Sequence, residues 1–356
     1  MSALSAAELQ QKIKAGEAIT EISLDGLDLR ECDLSGAIFQ EVSLQGANLE
    51  QANLHETVFS ECQLDGILLN KALLKQTVFN QCRMTKTSAG HTTLEECVFN
   101  QCELNSSDFS QGILNKTQFM CCNLAGSCFS HSTFERASFF QSPLAQAEFK
   151  ACRCQLTTFF GIDFRQLQLQ ESQFEQSIFF DCDHRGNCYA QQQFSGCQFT
   201  DNQLDEVDFS GARLTQSCFK GASLKRARLR KVHAAQALFM AADLSEADCK
   251  DSLFEQAIFV GARLEKTDFS HSNLYQSILQ KVCAEQACFR LCNLTYSDFS
   301  GADLRRADFS RATFFRTRLH RARQEGAQFS ARQGILEHDE ELLAAEAWSI
   351  QRQSRH

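Results

Sequence analysis

From Leu24 onward, every fifth residue along the chain is large and apolar. Leu24, Leu29, Leu34, Phe39, Leu44 and Leu49 open a series that ends at Phe329. It has 62 positions, 53 of them Leu or Phe, and the frame does not slip. Two residues before each stands a small one, as at Cys32, Ala37, Val42, Ala47 and Ala52; Ala, Ser, Thr, Cys, Val or Gly fill 54 of these 62 positions. A period of five fits neither the 3.6 of a helix nor the 2 of a strand. It fits a chain that turns a corner every five residues. The centre residue and the small residue two before it then point inward, and the other three face solvent. Four such sides close a square coil of twenty residues, and successive coils pair as parallel strands about 4.8 Å apart. At four to a coil, the 62 pentapeptides supply 15.5 coils.

A second period supports the stacking. Centre positions whose numbers end in 9 hold 21 Phe and 7 Leu, whereas those ending in 4 hold 19 Leu and 6 Phe. This alternation puts Phe on two opposite sides of the square and Leu on the other two. Residues twenty apart lie one above another, so Phe39, Phe59, Phe79, Phe99 and Phe119 predict one column of stacked rings. Internal repetition of this kind marks a solenoid. The units Ala47-Asn48-Leu49, Ala52-Asn53-Leu54, Ala242-Asp243-Leu244, Ala302-Asp303-Leu304 and Ala307-Asp308-Phe309 resemble the pentapeptide-repeat family, whose consensus is A(D/N)LXX. The resemblance covers residues 22–331 and implies an all-β fold, a right-handed quadrilateral β-helix. Short helices are expected at both ends. Residues 1–21 contain a capping box, Ser5-Ala-Ala-Glu8, and predict a helix from Ala6 to about Ala15. Residues 332–356 predict a second helix after Asp339, with Leu342, Leu343, Trp348 and Ile350 on its apolar side. It serves either as a lid on the last coil or as a homodimer contact.

Composition follows from the frame. The 31 Phe belong mostly to the inward columns, and a Tyr or Trp there would bury a polar donor. Ten of the 18 Cys occupy the small inward position, which predicts reduced, packed thiols. The one Pro, Pro143, sits outward, where its missing N–H implies a local defect in the ladder. No run of about eighteen apolar residues occurs, and no membrane span is expected. The opening residues lack the apolar segment of a signal peptide, and so many Cys without one point to a cytoplasmic protein. The net charge of −9 conceals a gradient: residues 1–60 carry −7 and residues 301–335 carry +5.

Catalytic motifs are missing: the chain has no Gly-rich phosphate loop, HExxH or nucleophile elbow. Cys152-x-Cys154 and Cys182-x-His184 match no zinc knuckle and fall in frame at inward positions. Neither an enzyme nor a cofactor or metal is expected. Functional signal lies in the outward columns. Met120, Phe140, Phe160 and Phe180 share one outward position on successive coils, where Ser60, Asn80 and Asn100 precede them. They predict an exposed stripe for a protein partner or for self-association, unless a loop over 182–192 covers it. The frame weakens there, at His184 and Tyr189. Arg226, Arg228, Arg230, Arg305, Arg306, Arg316 and Arg318 form candidate basic patches for an acidic partner. Aromatic interleaving is thin, so nucleic acid is not the expected ligand. The leading expectation is a non-enzymatic protein-binding scaffold. The family resemblance offers an alternative, a DNA mimic acting on gyrase. The opening segment IKAGEAITEISLDGLDLRECDLSGA also resembles repeat proteins found beside type VI secretion components, which would make the chain an accessory of such a locus.

Overall fold

The computed structural model describes residues 4–353, and side chains only through residue 349. The chain divides after His184 into two compact units, each a parallel β-solenoid with a twenty-residue repeat.

The first unit opens with α1, Ala6–Lys14. Its capping box forms as the sequence predicts: Glu8 N–H donates to the Ser5 hydroxyl, and Ser5 N–H donates to the Glu8 carboxylate at 2.9 Å. Leu9 is fully buried, and Leu24 and Leu29 of the first coil are closed from solvent. One side of the coils forms a nine-stranded parallel sheet running from Ile19–Thr20 and Ile38–Gln40 to Thr158–Phe160 and Ile178–Phe180. Its register is twenty throughout, with Phe39 beside Phe59 and Phe159 beside Phe179. A second side forms a six-stranded sheet from Leu73–Lys75 to Gln173–Glu175. The remaining sides pair through single bridges such as Ser43↔Gln63 and Asp28↔Asn48. In the second unit single bridges predominate, as at Gln198↔Cys218 and Asp208↔Arg228. Helix α2, Glu340–Gln353, follows the last strands.

The inward columns are as predicted. Phe39, Phe59, Phe79, Phe99, Phe119, Phe139, Phe159 and Phe179 stack with centroids 4.9–5.3 Å apart and planes within 14°. In the second unit Phe199, Phe219, Phe239 and Phe259 do the same at 4.9–5.0 Å. Each such ring removes its apolar area from water on both faces, with a further contribution from the offset stacking.

Two devices complete the backbone. At nearly every corner, Gln166 being an exception, the residue two after the centre adopts a left-handed conformation, as at Glu31 (φ 57°), Glu56 (55°) and Gln101 (53°). This aims its N–H along the stack, so that Glu31 N–H donates to Glu50 O at 3.0 Å and Glu56 N–H to Lys75 O at 2.9 Å. The conformation costs a non-glycine residue about 1–2 kcal/mol, and these inter-coil bonds oppose that cost. The small inward residue supplies the second device. Its hydroxyl or thiol donates to the centre carbonyl 23 residues earlier: Thr57 to Leu34 O (2.9 Å), Thr117 to Leu94 O (2.7 Å), Ser127 to Leu104 O (2.8 Å), Cys122 to Phe99 O (3.2 Å). Buried polar groups are thereby satisfied.

Three expectations need revision or detail. No loop forms over 182–192. Asp183 bridges to Asp163 in the first unit, and Gly186, Tyr189 and Gln191 donate to Asp205, Asp208 and Ser210 in the second. The irregular residues are large inward ones rather than an insertion, and His184 and Tyr189 are both fully buried. A tyrosine is accommodated inside after all. The Tyr189 hydroxyl accepts from Asn187 Nδ2 at 3.2 Å, so the polar residue in the small position supplies the partner. At Pro143 the bridge series running through Glu103↔Asn123 is interrupted, although Pro143 O still accepts from Leu124 N–H at 2.9 Å.

Candidate partner surfaces

The inward positions hold little accessible chemistry. All 18 Cys are free thiols. Burial pushes Cys97, Cys152 and Cys182 up to about 12, far from a reactive thiolate at neutral pH. Burial also drives His184 down to about 3, so it is a neutral ring lying on Phe164 at 4.5 Å. Among the described residues, no three His, Cys, Asp or Glu side chains come together as a metal site. No described helix is long and apolar enough to cross a membrane.

The predicted stripe lies on the outer face of the nine-stranded sheet. Met120, Phe140 and Phe180 are 37%, 38% and 48% exposed, and Phe160 is half-buried between its neighbours. The phenyl rings form a ladder: Phe140 to Phe160 at 4.6 Å and 10°, Phe160 to Phe180 at 5.3 Å and 18°. The strands from Ile38–Gln40 to Ile178–Phe180 contribute sixteen outward side chains to this face, and none is charged. Elsewhere charge is dense, at 22% of the chain. The Val column continues the apolar surface from Ile38, which is 50% exposed, and Asn100 Nδ2 donates to Asn80 Oδ1 at 2.7 Å beside it. The stripe was legible in the sequence. The lack of charge on these strands becomes apparent only when both of their outward columns are read together; the corner column beside them carries Glu41, Glu61 and Asp181.

The arginines do not form free basic patches. Arg226 pairs with Glu206 at 2.6 Å, Arg228 with Asp208 at 3.6 Å, and Arg230 with Asp248 at 3.7 Å. Arg305 meets Asp303 at 2.7 Å and Glu285 at 3.0 Å, and Arg306 meets Glu285 at 3.7 Å. Arg318 lies 3.8 Å from Asp298 and 3.4 Å from Asp339. The Arg305 guanidinium holds the Asp303 carboxyl below the usual carboxylate range. Many of these acids stand one coil away in the same outward column, twenty residues off in sequence. Arg316 has no ion pair among the described residues.

Helix α2 leaves part of its apolar side open to solvent. Leu342 and Leu343 are each 38% exposed and Trp348 58%, while the side chain of Ile350 lies outside the described residues. Polar contacts join it to the last coils. Buried His320 accepts the Asp339 N–H at Nδ1 (3.2 Å) and has Nε2 3.5 Å from Glu346, which Arg321 also meets at 2.6 Å. Exposed Tyr296 and Phe315, 5.4 Å apart edge to face, are a second aromatic pair that did not stand out in the sequence, because neither is part of a long column.

The chain is similar to known repeat proteins. The family model described as "Pentapeptide repeats (8 copies)" matches residues 20–55, 193–230, 222–259, 257–295 and 292–330. The related model "Pentapeptide repeat region" matches residues 52–129. Among solved structures, HetL, a pentapeptide repeat protein involved in heterocyst differentiation regulation from the cyanobacterium Nostoc sp. strain PCC 7120, is 17% identical. The match covers 93% of this chain and 98% of HetL, with a TM-score of 0.19. Full-length QnrB1, a plasmid-mediated fluoroquinolone resistance protein, is 17% identical over 58% of this chain and 96% of its own, with a TM-score of 0.26. A pentapeptide repeat protein from the Arabidopsis thaliana thylakoid lumen is 27% identical over 32% of this chain and 70% of its own, with a TM-score of 0.15. No curated protein sequence matches this one.

Proposed function

The chain belongs to the pentapeptide-repeat family, and from that premise we propose that it is a non-enzymatic scaffold that binds a protein through the outer face of its nine-stranded sheet. One observation carries the proposal: the exposed Met120–Phe140–Phe160–Phe180 ladder on strands that carry no charged residue. A contiguous apolar surface of this kind is costly to leave in water and marks an interaction site. Rigid neighbours on both sides hold the rings in place, so little side-chain entropy is lost when a partner covers them. Burial holds the Cys97, Cys152 and Cys182 thiols and the His184 ring neutral, which removes them as nucleophile or base.

The test is affinity capture from the native cell with the full chain and with a triple variant, Phe140→Ser, Phe160→Ser, Phe180→Ser. The expected result is loss of the captured protein with an unchanged far-ultraviolet spectrum, because all three side chains point outward. Recovery of the same protein by the folded variant would remove this face from the function.

A further inference from the structure

We infer that the uncharged face of the first unit is a self-association surface and that its occupant is the same face of a second copy, packed antiparallel. The inference rests on the scaffold reading and specifies its partner. Three observations select a second copy. The first concerns what the rings can accept. Phe160, the middle ring, is stacked on both faces, by Phe140 at 4.6 Å and Phe180 at 5.3 Å. A flat ligand that needs an open ring face, such as a sugar or base, finds none at the centre of the stripe, whereas side chains can pack against its ridges. The second is period. The columns repeat once per coil, at the strand spacing of about 4.8 Å. A partner sheet meets every ridge only if it repeats at the same interval, and an identical face does so by construction. Two sheets packed in this way lie about 10 Å apart. The third is charge. The chain carries −9 overall and −7 within residues 1–60, so contacts between copies through the first coils oppose like charges. The eight outward residues of the strands from Gln118–Met120 to Ile178–Phe180 contribute none, and Asp181 is the one acid in the corner column beside them.

Charge also sets the direction. Parallel packing would lay the acidic first coils side by side. Antiparallel packing about the middle of the stripe separates them, and a two-fold axis then places Phe140 of one copy opposite Phe160 of the other.

The experiment is sedimentation equilibrium of the full chain over a concentration series. Wild type is expected as a reversible dimer. Phe140→Lys and Phe160→Glu should each weaken association at least about 100-fold, since each buries an unpaired charge at the centre of the contact. An equimolar mixture of the two should regain dimer, because antiparallel packing brings the introduced lysine and glutamate together. Parallel packing does not, and failure of the mixture to associate overturns the assigned geometry. A wild type that stays monomeric overturns the self-association itself. The scaffold reading then stands or falls separately, on the capture of a different protein by wild type and its loss in the triple-serine variant.

Discussion

At the residue scale the inward Phe and the small residue beside it carry the fold. Phe119 is fully buried in the middle of the ring column, 5.0 Å from both Phe99 and Phe139. Phe119→Ala leaves a cavity that rigid neighbours cannot close, and is expected to cost about 3–5 kcal/mol in a urea titration. Phe329→Ala, at a half-buried position of the last coil, should cost less than half as much. The inward columns were legible in the sequence because burial imposes a strict period. The bond from Thr57 to Leu34 O was not, since a small residue in that position reads equally well as plain packing, as Ala47 shows. Tyr189 and Asn187 likewise look like two separate faults in the repeat. Only their contact shows that one corrects the other.

At the element scale the two terminal helices differ in kind. Helix α1 has a capping box and a buried Leu9, both visible as local sequence signals. Helix α2 is held by polar contacts among Arg318, His320, Arg321, Asp339 and Glu346. Nothing periodic announces such contacts, which is why its apolar residues suggested a lid. Glu346→Ala removes the group that faces both His320 and Arg321. A partly exposed pair of this kind contributes about 1 kcal/mol or less. Hydrogen exchange should therefore show lost protection in α2, with protection of the coils unchanged. Equal loss throughout would mean that α2 is coupled to the coils more strongly than these contacts imply. The sheets show a similar division. The Phe ladder was predicted from one column, whereas its neutral surroundings depend on two columns and eight strands.

At the scale of the whole molecule, charge matters through its pairing more than through its sum. Arg226 and Glu206, like Arg228 and Asp208, are twenty residues apart and satisfy each other along their columns. The sequence therefore overstated the basic patches, and the pairing leaves fewer unengaged acids for a DNA-like surface. The unbroken frame has a consequence for how such a chain can change in length. Removing five residues would turn every later column by one side of the square and set Phe where Leu packs. Removing ten would restore the Phe and Leu alternation but carry the later outward columns to the opposite side. Only a loss or gain of twenty leaves each column in place. Deleting residues 60–79 should thus give a chain that folds and melts cooperatively, while deleting 60–69 should part the Ile38 and Val58 strands from the rest of their sheet, with exposure of apolar surface to a hydrophobic dye as the readout. Length here comes in quanta of one coil, so insertions and duplications in this gene would persist chiefly as multiples of sixty nucleotides.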